Sequence, residues 1–264
     1  MIRVERGDAP LIVSIPHAGL QIPEEIANRL VSPDLARYDA DLYVDHLYAF
    51  AHGFNATIVR TTISRTVIDV NRDPSGKSLY PGQATTGLCP VETFDGAPLY
   101  HEGQAPDAAE IEARRREWFE PYHHALATEI ERLRTQHGRV VLYDAHSIRS
   151  EVPRLFEGML PQFNIGTNSG ASCDYMLAKR IENICRGSAS TVVDGRFKGG
   201  WITRHYGQPA ANVHAIQMEL AMRGYIEEVP HEQWPPAWNL IRAEPCIDVL
   251  RLVLAAALDF AEGQ

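Results

Sequence analysis

Two histidines stand where a parallel sheet would present ligands. Residues 11–19, LIVSIPHAG, and residues 139–150, RVVLYDAHSIRS, each open as a short apolar run and then turn polar. The first run delivers His17, the second Asp144, His146, Ser147 and Arg149. Such a run reads as a strand buried on both faces, and open α/β sheets collect ligands just past the carboxyl ends of their strands. Two strands that each end on a His predict a His-based metal site. A catalytic zinc takes three protein ligands and keeps one position open. The third ligand would be a carboxylate, and Asp41 and Asp45 are the nearest in sequence. They are four apart in a stretch with helical periodicity and would share one helix face. This spacing is long-range, unlike H-E-x-x-H. In a chain with eleven histidines, any one taken singly is more readily structural; His46, His52, His123, His124, His137 and His231 are read that way, or as surface residues.

Glu219 lies in an apolar stretch, IQMEL. A charge there is costly unless it is paired or its pKa rises, and the second case is what a general base uses. An ion pair with an arginine is an equal reading. Arg65, Arg72 and Arg204 sit at the edges of apolar runs, where a guanidinium can grip a carboxylate with two parallel hydrogen bonds. Arg65 beside Asp69, or Arg72 beside Asp73, would serve equally as a structural pair. Other motifs fail: Gly76-Lys77-Ser78 lacks the earlier glycine of a phosphate-binding loop, where Asn71 stands. No G-x-G-x-x-G or G-x-S-x-G is present.

Placing these residues takes an α/β frame. Strands are predicted at 11–15, 56–60, 66–70, 140–143, 163–165, 190–193 and 213–220. Helices are predicted at 22–30, from Ser32, over 35–52 closed by Gly53, over 107–137 with a kink at Pro121, over 171–186 and over 248–261. Residues 199–207 read as a short strand between loops. Alternation of the two types predicts a single α/β domain over 1–264, with a mixed, mainly parallel sheet covered on both faces. Residues 73–106 have no period but hold Leu79, Tyr80, Leu88, Phe94, Leu99 and Tyr100, which favours an ordered lid loop over a solvated linker.

The net charge of −9 argues against nucleic-acid or anionic-membrane partners, which need a basic surface. No apolar run is long enough to span a membrane, and the start shows no signal segment. Cys89, Cys173, Cys185 and Cys246 form no C-x-x-C pair, so a reducing cytoplasm is the expected location. Trp234 and Trp238 would cover the core or a subunit interface, and oligomeric state is left open.

Taken together, IPHAG (15–19), DADLYVDHL (39–47), SRTVIDVNRDP (64–74), LYDAHSI (142–148) and GGWITRHYGQP with VHAIQMEL (199–220) resemble the N-formylglutamate amidohydrolases of histidine degradation. The resemblance implies a three-layer α/β/α fold similar to zinc carboxypeptidases and aspartoacylases. It implies a divalent metal, zinc before cobalt, nickel or manganese, and hydrolysis of N-formyl-L-glutamate. His17 and His146 match the family's metal histidines. The acidic ligand falls in DADLYVDHL, with Asp45 preferred and Asp41 the alternative; the carboxypeptidase Glu three residues after the first His is here Leu20. Glu219 resembles the general base. Asn71 and Arg72 resemble a carboxylate-holding pair, with Arg65 or Arg204 assisting and Tyr206 orienting a small anionic N-acyl amino acid. Hydrolysis of an acetyl or succinyl analogue, and metabolite binding without catalysis, are the rival expectations.

Overall fold

The computed structural model describes residues 1–264. The apolar runs become the interior of one seven-stranded sheet: β1 (Ile2–Glu5), β2 (Leu11–Ile15), β3 (Thr57–Thr61), β4 (Val140–Ile148), β5 (Phe163–Gly166), β6 (Thr191–Val193) and β7 (Val213–Ala221). Their order is β1-β3-β2-β4-β7-β5-β6. β1 on β3 and β5 on β7 are antiparallel and the other four pairings parallel, so the sheet is mixed and mainly parallel as expected. Every residue of β2, β4 and β7 is buried, which is why they read as continuous runs. The helices are α1 (Glu24–Ala27), α2 (Pro33–Arg37), α3 (Val44–Leu47), α4 (Ala108–Arg114), α5 (Glu120–His137), α6 (Tyr175–Arg186), α7 (Trp201–Tyr206) and α8 (Leu240–Glu262). None is long and apolar enough to cross a membrane.

The pleat decides where the polar residues go. Val141, Tyr143 and Ala145 of β4 join the larger apolar layer, with α3, α6 and α8. Val140 and Leu142 point the other way, to a layer closed by α5 and α7, as do Val213 and Ala215 of β7. Side chains alternate across a sheet, so Asp144 and His146, and Gln217 and Glu219, continue this second side. The register sets Asp144 opposite Gln217 and His146 opposite Glu219. Apolar contacts thus give way to a polar row toward the carboxyl ends of the two central strands. Trp234 and Trp238 pack against the first layer and so cover the core.

Four expectations need correction. The helix over 35–52 is broken: α2 stops at Arg37, Tyr43 takes a left-handed φ of 61°, and α3 is followed by a 3₁₀ turn over Ala49–Phe54. Residues 66–70 form turns, because Val67 N bonds Ser64 O and Asp69 N bonds Leu88 O instead of a neighbouring strand. Residues 201–206 are helix, started by Asn71 Oδ1, which accepts from Ile202 N at 2.8 Å. His146 lies inside β4, not past its end. The expected break near Pro121 is present as a π turn over Arg115–Phe119 that joins α4 to α5 and accommodates the missing donor.

Candidate metal centre and active site

His17 follows β2 by two residues, at a bend that passes close to β3. A Cβ on Gly19 would lie 2.5 Å from Ile63 O, so glycine is what allows the approach. The next contact is a backbone one: Asp41 N donates to His17 O at 3.0 Å, which fixes the Asp41 loop over the end of β2. Asp41 Oδ2 then stands 3.0 Å from Nδ1 of His146 and 3.6 Å from Nδ1 of His17. It also accepts from Ser147 N at 3.1 Å. One ligand atom from each of the three buried residues falls within 4.8 Å of the others.

Each imidazole has a carboxylate behind it. His17 Nε2 meets Asp69 Oδ1 at 2.7 Å, and His146 Nε2 meets Asp144 Oδ2 at 3.1 Å, with Asn71 Nδ2 at 2.9 Å from the same nitrogen. Such partners fix ring orientation and leave the opposite nitrogen free to bind. Asp69 is braced in turn by Arg65 Nη2 at 2.7 Å and Asn71 N at 2.9 Å, and Asp144 by Ser14 Oγ at 3.0 Å. His17 Nδ1 is buried with no hydrogen-bond partner. An orphaned imidazole nitrogen aimed between a carboxylate and a second imidazole is costly in a closed core and apt for a cation. Two imidazoles and one carboxylate form the donor set of a catalytic zinc site, so these residues fit a divalent metal.

Electrostatics sharpen the picture. Burial alone would raise Asp41, but His17 and His146 hold it below the usual carboxylate range. Burial would likewise raise Asp69, yet Arg72, His17 and Arg65 keep it well below that range. Burial would lower His146, whereas Asp144 and Asp41 lift it well above the ordinary imidazole value. Glu219 goes the opposite way from Asp41: burial pushes its carboxyl up to about 8, against His146 and Arg65, with Asp41 and Asp144 adding to the rise. Its one side-chain partner is Gln217 Nε2, which donates to Oε2 at 3.0 Å. Two carboxylates with opposed shifts at one site are the pattern of a ligand beside a proton carrier.

These groups open on a cleft of about 570 Å³. Glu219, His17 and His146 form part of its wall, with Arg65, Arg72 and Arg196 and with Tyr80, Thr85, Thr86 and Phe94 from the 73–106 loop. That loop is pinned at several points: Thr86 O and Oγ1 both accept from Arg72 at 3.0 Å, and Phe94 N donates to Asp39 Oδ2 at 2.6 Å.

The sequence profile of the N-formylglutamate amidohydrolases matches residues 9–226. The chain belongs to that family. It is 44% identical over 260 residues to the N-formylglutamate deformylase of Pseudomonas putida, covering 98% of this chain and 96% of the relative. To the Pseudomonas aeruginosa deformylase it is 45% identical with the same coverage. The fold matches a crystal structure of N-formylglutamate amidohydrolase from Ralstonia eutropha JMP134 with a TM-score of 0.77, at 24% identity and over 99% of this chain and 97% of the other.

Against this family background, the structure gathers His17, His146, Glu219, Arg65 and Arg72 in the wall of one cleft and, of the two candidate acids, buries Asp41 against both histidines. Asp45 stands apart. Its Oδ2 pairs with Arg60 Nη1 at 2.9 Å in a separate surface hollow beside Glu5 and His52, because the left-handed turn at Tyr43 sends it away from Asp41. Asn71, Arg204 and Tyr206 do not line the cleft. Asn71 sits behind His146 as the cap of α7, so close that a Cβ on Gly200 would lie 2.3 Å from its amide nitrogen. Arg204 lies over the Tyr80 ring, with its centre 4.9 Å from the centroid, one layer back. Tyr206 OH is bonded to His123, whose own value burial lowers to about 4, which marks a neutral packing histidine. The pairing of Arg65 with Asp69 is present. Asp69, Asp144, Gln217 and Arg196 join the site in the structure without a site role assigned from the sequence. Asp144 carried a signal, being two residues before His146 on one strand face; Arg196, in a loop of no distinct pattern, carried none.

Proposed function

We propose that the protein hydrolyses N-formyl-L-glutamate to formate and L-glutamate, the deformylation step of histidine degradation, with a divalent metal held by His17, Asp41 and His146. Zinc suits two imidazoles and a carboxylate, and the same set accepts cobalt, nickel or manganese. The observation that carries the reading is that both histidines of that donor set, with Asp41 buried against them, share one cleft wall with a buried glutamate and arginines. Bound there, the ion supplies Lewis acidity toward a carbonyl oxygen and toward water.

The chain's own residues do the rest. Glu219, across the strand pairing from His146, accepts a proton in its ionised form as water adds to the formyl carbon. Its raised pKa suits it to keep that proton until the C–N bond breaks, and then to give it to the departing amine nitrogen. Arg72, steadied by Thr86, offers a guanidinium to the amino acid's carboxylate. Arg65 is engaged by Asp69 and Asp41, so its charge steadies the acids around the metal residues. The 73–106 loop acts as a lid that keeps bulk water and larger acyl groups from the cleft. The kinship with zinc carboxypeptidases is part of this proposal and is supported by the His–acid–His set and the buried glutamate.

A substrate panel tests the assignment. Formate release from N-formyl-L-glutamate is expected to exceed acetate or succinate release from N-acetyl- and N-succinyl-glutamate by about 100-fold or more, the scale on which a fitted cleft rejects a misfit. Faster release from either larger analogue would transfer the assignment to that substrate. Turnover of none of the three would favour a binding protein.

A further inference from the structure

Three arginines line the cleft, and they differ in what neutralises them. Arg65 is paired with Asp69 at 2.7 Å and Asp41 at 3.4 Å, and Arg72 reaches Asp69 at 3.6 Å. Arg196 has no carboxylate at ion-pair distance. Its Nε donates to Leu155 O at 2.7 Å and its Nη2 to Ala84 O at 2.9 Å, both backbone acceptors. The guanidinium lies 5.2 Å from the Tyr80 ring centroid and 5.4 Å from that of Phe197. A half-buried cation held by two carbonyls and two aromatic faces is fixed in place yet electrically unpaired, and a guanidinium in that state favours an anion.

The support beneath it is firm. Asp194 N donates to Ile165 O at 2.8 Å, and Asp194 Oδ1 accepts from Thr167 N at 2.8 Å, so the turn carrying Arg196 is tied to β5. Tyr80 OH donates to Gly199 O at 2.9 Å and joins that turn to the 73–106 loop. Arg196 also stands outside the network that braces the metal residues: none of its contacts is to Asp41, Asp69 or Asp144. Burial and the nearby Arg72 charge lower its pKa, against Tyr80 and the more distant Glu219 carboxylate, which raise it, and an anion bound beside the guanidinium would relieve the burial and the repulsion.

We propose that Arg196 is the specificity-determining residue for the substrate's side-chain carboxylate, with Arg72 taking the α-carboxylate nearer the scissile amide. The inference rests on the deformylase reading and adds what that reading lacks, a reason for an acidic amino acid to be preferred over a neutral one of the same shape. A dicarboxylate in the cleft can pair with both cations at once, whereas glutamine leaves Arg196 unpaired.

The test compares N-formyl-L-glutamate with N-formyl-L-glutamine on metal-loaded wild type, Arg196→Gln and Arg196→Lys, with melting curves to confirm folding. Arg196→Gln is expected to lose roughly 100-fold in kcat/KM on the glutamate substrate, chiefly through KM, and to change less than about threefold on the glutamine one. Arg196→Lys, which keeps the charge, retains most of the preference. Equal losses on both substrates, or no loss on the glutamate one, would overturn the assignment. Calorimetric binding of glutarate and butyrate separates this inference from the activity. If wild type hydrolyses neither formyl compound but binds glutarate more tightly, and Arg196→Gln erases that difference, Arg196 stands while the deformylase reading falls. Equal binding of the two acids by wild type would remove Arg196 from the role.

Discussion

Replacing Glu219 with Gln is expected to lower formate release from N-formyl-L-glutamate by about 10³–10⁴-fold, the upper range for loss of a general acid–base. The amide keeps the shape and can still accept from Gln217, which donates to Glu219 at 3.0 Å. What it loses is the ability to take a proton. Since burial pushes the carboxyl up to about 8, the fold stabilises its neutral form, and a neutral amide is tolerated there. Metal content and melting temperature should therefore match wild type while turnover collapses. Activity within tenfold of wild type, measured on protein with full metal content, would remove Glu219 from the chemistry.

The second large effect separates two aspartates that the sequence presents as a pair. Asp41→Asn is expected to weaken metal binding by at least about 100-fold and to abolish turnover, because even the residues behind metal ligands are worth 10–100-fold. Asp45→Asn is expected to leave both within about threefold. Its carboxylate pairs with Arg60, with both side chains near 30% exposed, and such a pair contributes at most about 1 kcal/mol. Dialysis against metal-buffered solution followed by elemental analysis reads both variants directly. Metal loss from the Asp45 variant with retention in the Asp41 variant would reverse the assignment.

The confusion between those aspartates shows what local pattern could and could not convey. Apolar runs with abrupt polar ends located β2, β4 and β7 and thereby His17, His146 and Glu219, since burial on both faces writes itself into composition. The segment 35–52 has helical periodicity, but tertiary contacts override it. Asp41 N bonds to His17 O and Tyr43 adopts a left-handed φ, so residues four apart part company. Residues 66–70 look like a strand because Val67, Ile68 and Val70 are buried, yet their backbone bonds go to turns and to Leu88. Asn71 and Tyr206 were legible as special but not as supports: one caps a helix and the other holds a packing histidine. Arg196 reaches the cleft only through the turn after β6, and no spacing in the chain records that.

In the proposed mechanism, turnover of N-formyl-L-glutamate depends on a divalent metal bound by His17, Asp41 and His146. Formate release by purified protein should be followed before chelation, after complete metal removal, and during stepwise return of zinc or cobalt, with metal content measured at each point. Activity is expected to be lost on removal and to recover in proportion to occupancy, reaching a plateau at one ion per chain. Undiminished formate release from fully metal-free protein would contradict it.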